Sequence, residues 1–272
     1  MEGPAAYHLG YTDAESARLI RQANRLAPVT ERFFRDAGIV AGQHVLDVGS
    51  GVGDVAMLAA FIVGPSGKVV AVERDARSIS RARARAAEAG LENIEFVRAD
   101  IDEYTTGESF DAAVGRYVLQ FLPDPVSTLR SVARVVRPGG IVAFQEGSWA
   151  PFVALSARVP LWRSAISLLH EAAVRAGVNL EMGIELHRAF QEAGLPAPRM
   201  GLEMELGCDP DFTRWASDCV QSVLPQIERL NLSYEALGDL ETLAERLQDE
   251  VAEANTVVPW IGLVGAWCRK PR

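Results

Sequence analysis

Three observations predict an α/β fold with a doubly wound, mainly parallel sheet. Short apolar runs alternate with helical segments between residues 45 and 146. Several of these runs end in an acidic residue. The first run ends in glycines at the alternate positions 49, 51 and 53. Glycines at a strand-to-helix turn allow a ligand to lie against bare backbone, so the pattern also predicts a binding site.

The first strand is predicted over Val45–Val48, the glycine turn follows, and a helix runs from Val55 to Val63. The helix amino terminus offers unpaired N–H groups to an electron-rich ligand, and a nucleoside fits such a turn. A dinucleotide site would have the spacing G-x-G-x-x-G, whose third glycine is replaced here by Asp54. A carboxylate there would repel a pyrophosphate, which disfavours NAD or FAD.

The later strands place further acids at the same edge of the sheet. Glu73 follows the apolar run of residues 68–72 and lies about twenty residues past the glycines, where a carboxylate can accept hydrogen bonds from ribose hydroxyls. Asp100 follows the run at residues 94–97. The carboxyl ends of parallel strands open on one edge, so Gly49, Glu73 and Asp100 are expected to converge. Two more strands are predicted at residues 110–116 and 137–146.

These motifs resemble the class I S-adenosylmethionine-dependent methyltransferases over about residues 40 to 150, and include the family-like segment Leu129–Gly140. The resemblance implies a Rossmann-like, seven-stranded sheet whose last strand is antiparallel, with a helical cap. It also implies S-adenosyl-L-methionine as cofactor and S-adenosyl-L-homocysteine as product. The cofactor contacts that the resemblance implies are Asp47, Gly49, Ser50 and Gly51 around the methionine part, Glu73 at the ribose, and Asp100 and Ile101 at the adenine. Asp54 and Arg74 are also predicted to contact the cofactor.

Composition and subclass motifs favour a small-molecule acceptor. The N-P-P-Y motif of enzymes that methylate exocyclic amines of bases is replaced by Gly115-Arg116-Tyr117-Val118. The formal net charge of −9 opposes binding to a phosphate backbone. The arginines on the second crossover helix, which include Arg77, Arg81 and Arg85 at i, i+4 spacing, are interpreted as a solvated face.

Regions outside these motifs are predicted to build the substrate site. Residues 1–38 form an N-terminal helical lid with helices at 13–26 and 29–37, residues 39–150 form the cofactor-binding core, and residues 151–272 form a cap and complete the sheet. Thr12 and Glu15 make a capping box for the first helix. Cap helices are expected at 161–176, 184–193, 212–230 and 237–254, and strands at 199–206 and 257–268. The insertion between these two strands is expected to cover the crevice.

Methyl transfer is an in-line displacement that needs alignment, exclusion of water and, for some acceptors, a general base. The candidate bases are His8, His170 and Glu146, whereas His44 is interpreted as structural and His187 as a surface residue. Arg116 could contact the methionine carboxylate or an acidic substrate. Contacts to the substrate are predicted from Tyr7, Tyr117, Trp149 and Trp162, and Tyr11 is placed at the cofactor. Acids are lacking where a metal-dependent enzyme would cluster them, so no metal is predicted.

The chain has 272 residues, of which 49% are hydrophobic and 23% charged, as expected of a soluble enzyme with one α/β core and a cap. Neither a membrane span nor a signal peptide is predicted, so a cytoplasmic location is expected. The three cysteines are interpreted as reduced thiols. One alternative is an S-adenosylmethionine-binding cyclase or decarboxylase, and another, opposed by Asp54, is a nicotinamide-dependent oxidoreductase. The acceptor, its methylated atom and the oligomeric state stay open.

Overall fold

A computed structural model describes residues 13–104, 106–156 and 159–272. The helices are α1 (Asp13–Ala37), α2 (Asp54–Val63), α3 (Ala76–Glu88), α4 (Pro125–Val135), α5 (Ala150–Leu155), α6 (Pro160–Arg175), α7 (Met182–Glu192), α8 (Pro210–Arg229) and α9 (Leu243–Glu253). The strands are β1 (His44–Val48), β2 (Lys68–Glu73), β3 (Ile94–Arg98), β4 (Phe110–Arg116), β5 (Val136–Ser148), β6 (Arg199–Glu203), β7 (Leu206–Gly207), β8 (Val258–Pro259) and β9 (Gly262–Arg269). None of the helices in these ranges is long and apolar enough to cross a membrane.

The chain divides into two compact units, and the larger contains residues 23–146, 182–202 and 264–272. Its seven strands have the order β3-β2-β1-β4-β5-β9-β6, and β1 pairs in parallel with both β2 and β4. The last strand is antiparallel, because Gly139 at the start of β5 donates to the Lys270 carbonyl just beyond β9, and Lys270 donates back to Gly140. The predicted seven-stranded, Rossmann-like sheet with an antiparallel last strand is therefore confirmed.

Two apolar layers cover the faces of this sheet, as the buried strand patterns require. One layer packs side chains of α4 and α7, such as Leu129 and Phe190, against Leu46 and Phe144 of the sheet. The other layer packs α1, α2 and α3 against alternate strand residues, among them Val45. Because both faces are covered, the carboxyl edge of the sheet is where polar side chains after the strands can meet a ligand.

The smaller unit contains residues 13–22, 147–181 and 203–263 of the described chain. Helices α6, α8 and α9 pack on one another, and β7 pairs with β8 as a short antiparallel ribbon. Glu250 of α9 accepts hydrogen bonds from the backbone amides of Leu161 and Trp162, at the start of α6. It thereby satisfies donors that the first turn of a helix leaves unpaired.

Several predicted elements differ in the structure. The two helices expected at 13–26 and 29–37 are one continuous helix that contains Pro28. Burial of Leu26, Val29 and Phe34 on both sides of Pro28 offsets the loss of the hydrogen bond that proline cannot donate. The strand expected at 199–206 is divided into β6 and β7, and the strand expected at 257–268 is divided into β8 and β9. The helix expected from residue 237 begins at Leu243, since Gly238 adopts φ 63°, ψ −141°.

Candidate functional site

In the glycine turn after β1, two of the three glycines lie against other side chains and the third faces open space. Gly49, Gly51 and Gly53 have φ of 66°, 52° and 91°. A Cβ on Gly49 would lie 2.5 Å from the Val118 side chain, and one on Gly53 would lie 2.9 Å from Cβ of Ala82. A Cβ on Gly51 would meet no described atom within 4 Å. Gly51 is therefore the position where a ligand can approach the backbone most closely.

Backbone amides and an acid hold this turn against β2. Gly49 and Ser50 both donate to the Val72 carbonyl, at 2.9 and 3.0 Å. The Gly51 amide donates to Oε2 of Glu73 at 2.9 Å, and the Asp75 amide donates to Oε1 at 2.9 Å. Each carboxylate oxygen has two lone-pair sites, so Glu73 retains capacity to accept from ribose hydroxyls.

Asp47 is a buried acid with unsatisfied oxygens at the base of the turn. Its side chain is 1% exposed, and neither carboxylate oxygen has a hydrogen bond of good geometry among the described residues, although the Ala56 amide lies near enough to lower the pKa of the group. Burial raises the pKa of Asp47 well above its usual range, Arg116 opposes this, and Glu73 and Asp54 add to it. An unpaired buried carboxyl group is costly, so this position favours a ligand that brings a positive charge or hydrogen-bond donors.

Asp54, which begins α2, forms an ion pair with Arg85 of α3. Arg85 Nη2 lies 2.6 Å from Asp54 Oδ1, and Arg85 Nη1 donates to the Val52 carbonyl at 2.6 Å. The interpretation of the arginine face as solvated is wrong for Arg85, whose side chain is 19% exposed. The pairing also partly neutralises the Asp54 charge, on which the argument against a pyrophosphate depended. The spacing of the arginines along α3 did not indicate that one of them contacts the glycine turn.

Arg116 ends β4, and Tyr117 follows it at the same edge. Arg116 Nη1 donates to Oγ1 of Thr30 in α1 at 2.8 Å, and burial lowers the pKa of the guanidinium, against the influence of Asp54. Tyr117 has φ 55°, which is unusual for a residue with a side chain, and its amide donates to the Gln145 carbonyl at 2.9 Å. Strained backbone of this kind is often found at functional sites.

Glu146, a predicted base, is fully buried near the end of β5. Its Oε1 accepts from the amides of Val118 and Leu119 at 3.0 and 2.8 Å, and its Oε2 accepts from Gln120 at 3.4 Å. Burial raises the pKa of Glu146 to about 7, although these hydrogen bonds favour its ionised form. The carboxylate thus holds the turn that begins at Tyr117.

The predicted adenine contacts lie after β3. Oδ1 of Asp100 accepts from the Asp102 amide at 3.0 Å, and the Ile101 side chain is 9% exposed. Arg74 follows Glu73, and its carbonyl accepts from Nε of Arg98 at 3.3 Å. These positions agree with the order of strands at the carboxyl edge, and the contacts to a cofactor stay predictions.

Two predicted residues of the smaller unit, Trp149 and His170, belong to an aromatic cluster. Trp149 packs edge-on against His170 of α6, with ring centroids 6.0 Å apart, and its amide donates to Glu181 at 2.9 Å. Phe152 contacts both Trp149 and Trp215, at centroid distances of 5.5 and 5.9 Å. Trp162 is fully buried, and its indole N–H has no partner among the residues described here.

Other predictions fall outside this arrangement. Tyr7, His8 and Tyr11 lie outside the described residues. His44 packs on Phe110 with a centroid distance of 4.5 Å, and burial lowers its pKa, consistent with a structural role. His187 is exposed. Over the described ranges, no three His, Cys, Asp or Glu side chains are grouped as a metal ion would need.

Comparisons with known proteins agree with the fold and the motifs. A model of a methyltransferase-domain family matches residues 39–194. An arsenite methyltransferase of Halobacterium salinarum is 36% identical over 146 residues, which are 53% of this chain and 37% of the relative. The ubiquinone/menaquinone biosynthesis C-methyltransferase UbiE of Hahella chejuensis is 37% identical over 121 residues, which are 43% of this chain and 49% of the relative. The chain therefore spans half or less of the length of each relative.

A solved structure shares the fold. The crystal structure of a SAM-dependent methyltransferase from Geobacter sulfurreducens, in complex with S-adenosyl-L-homocysteine, matches with a TM-score of 0.52 and 19% identity. The match covers 91% of each chain. At this identity the likeness concerns the fold alone.

Proposed function

The chain belongs to the family of S-adenosylmethionine-dependent methyltransferase domains, and we propose that it transfers a methyl group from S-adenosyl-L-methionine to a small, partly apolar molecule without a metal. The family model covers more than half of the chain, from residue 39 to residue 194. The net charge of −9 supports a small acceptor rather than a nucleic acid.

The buried, unpaired carboxyl group of Asp47 is the main support for the cofactor assignment, because S-adenosylmethionine carries an ammonium and a sulfonium. Gly51 adds to it, since its backbone faces open space at a positive φ. Glu73 would accept from the ribose, and Asp100 with Ile101 would receive the adenine. A bound cofactor supplies a methyl group on a positively charged sulfur, which needs no further activation.

The remaining task of the chain is to orient the acceptor, exclude water and accept a proton where the acceptor must lose one. His170, half-buried and edge-on to Trp149, is a proposed base, and His8 is another. Glu146 is less suited to this role because three backbone amides already use its oxygens. We assign the aromatic side chains Tyr7, Tyr117, Trp149 and Trp162 to an apolar acceptor.

Calorimetric titration with S-adenosyl-L-methionine and S-adenosyl-L-homocysteine tests the cofactor site. The wild type should bind both with about micromolar affinity. Gly51→Val should abolish binding because its side chain enters the space that the turn leaves open. Gly90→Val is the matched control, since this exposed glycine also has a positive φ, 67°, and a Cβ on it also meets no described atom within 4 Å. Absence of binding to the wild type would overturn the proposal.

Release of S-adenosyl-L-homocysteine in the presence of apolar phenols and carboxylic acids tests the reaction. Acceptor-dependent release supports methyl transfer. Binding of the cofactor with no release across the panel would contradict the proposed acceptor class and favour the non-methylating alternative, a cyclase or decarboxylase.

A further inference from the structure

We propose that Arg85 is a positioning residue that fixes the glycine turn in the conformation that receives the cofactor. This inference rests on the proposed function. Arg85 lies in the last full turn of α3, and its guanidinium makes two contacts with the turn, to the Val52 carbonyl and to the Asp54 carboxylate, each at 2.6 Å.

The two contacts lie on either side of Gly53. Gly53 has φ 91° and stands immediately before α2, so its conformation sets the angle at which the turn enters the helix. One planar guanidinium that binds both neighbours restricts the rotation of the backbone between them. An arginine can do this because its donors form a rigid fork, whereas a lysine ammonium is a point charge on a flexible stem.

Burial makes this pair stronger than an ordinary surface ion pair. The side chains of Arg85 and Asp54 are 19% and 16% exposed, so water and salt screen them less than they screen pairs on an open helix face. The pair also balances charge, because Asp54 contributes to the raised pKa of Asp47. Without Arg85, the carboxyl groups of residues 47, 54 and 73 would lie around the turn with one positive charge fewer to balance them.

Helix α3 links this contact to the predicted ribose site. The helix begins after Asp75, whose side chain accepts from the Ser78 amide at 2.7 Å and whose own amide donates to Glu73. The same helix carries Ala82, which sits 2.9 Å from the place a Cβ on Gly53 would occupy. One rigid element therefore contacts Glu73 at its start and the glycine turn near its end.

Calorimetry with S-adenosyl-L-homocysteine tests the proposal on the full chain. Arg85→Met removes both contacts while retaining the apolar stem, and should raise the Kd about tenfold or more. Arg85→Lys keeps the charge and one possible contact, and should give an intermediate Kd. Arg77→Met is the matched control, because Arg77 is exposed on the same helix, and its Kd should stay within about twofold of the wild type.

A general effect on folding is distinguished by two further measurements. Binding is measured well below the unfolding midpoint of each variant, where a purely structural role would leave the Kd of the folded protein unchanged. Hydrogen exchange at the amides of residues 51–54 should increase in Arg85→Met, and exchange in β4 should not. If Arg85→Met does not fold, Arg85→Gln, which loses the ion pair with Asp54 and keeps a side-chain donor for the Val52 carbonyl, is measured in its place.

The possible results separate this inference from the proposed function. If the wild type does not bind S-adenosyl-L-homocysteine, the proposed function fails. If the wild type binds and Arg85→Met binds with a Kd within about twofold of it, the positioning role of Arg85 is refuted while the proposed function stands.

Discussion

Glu146→Gln should remove a pH dependence of stability that the wild type carries in its larger unit. The Glu146 side chain is fully buried, and its pKa is raised from 4.5 to about 7. The raised pKa means that the folded state binds the proton more tightly than the unfolded state does. The stabilisation from this group is therefore fully present below about pH 4.5 and is lost as the pH rises through about 7.

The magnitude follows from the two pKa values. Their difference, about 2.5 pH units at about 1.4 kcal/mol each, corresponds to about 3 kcal/mol. Glutamine keeps an oxygen for the amides of Val118 and Leu119 and places its NH2 group near the Gln120 amide, which was 3.4 Å from Oε2. Because the NH2 group and the Gln120 amide are both donors, their mismatch lowers the free energy of unfolding of the variant by an amount that does not change with pH.

Urea unfolding of both proteins between about pH 4.5 and about pH 8 measures the effect, since the contributions of other acids cancel in the difference. The free energy of unfolding of Glu146→Gln should rise relative to the wild type by about 3 kcal/mol across this range. Glu228→Gln, at an exposed position of α8, is the control and should show a flat difference. A flat difference for Glu146→Gln as well, or a slope of opposite sign, would refute the reasoning.

Three further changes should lower the free energy of unfolding measured in urea. Gly53→Ala should cost about 2 kcal/mol or more, because the added Cβ lies 2.9 Å from Ala82 at a φ of 91°. Glu15→Ala should cost about 3–5 kcal/mol, because it removes the two hydrogen bonds, 2.6 and 2.7 Å long, that the buried Arg18 guanidinium donates to it. Phe152→Ala should cost about 3–5 kcal/mol, because removal of this fully buried ring leaves a cavity in the aromatic cluster. A loss below about 1 kcal/mol for any of them would contradict the packing described.

Sequence patterns predicted the parallel strands well because strands buried on both faces leave apolar runs that few other elements produce. The fourth strand, Phe110–Arg116, has the predicted bounds. The family resemblance supplied the antiparallel last strand, which no local pattern at residues 262–269 indicated. Helix boundaries were harder to predict, since Pro28 lies inside α1 and only the burial of its neighbours keeps that helix continuous.

The candidate site was predictable as a set of residues, but not as a set of interactions. The glycines and Glu73 were found by spacing along the chain. The contacts of Arg85 and Glu146 depend on how a helix rotates and which amides lie near a strand end, and a single sequence does not encode these in a readable pattern. The roles of Glu181, which binds the Trp149 amide, and of Gln145, whose carbonyl accepts from Tyr117, were missed for the same reason.

The place of β9 in the sheet has a consequence for how the protein is made. This strand lies between β5 and β6, although it follows both in the chain. During synthesis, β6 therefore emerges from the ribosome long before the strand that will hold it. Until β9 is available, β5 is an edge strand with unpaired amides and carbonyls, open to pairing with other chains. The nascent protein thus passes through a period in which that edge is unpaired and open to association with other chains.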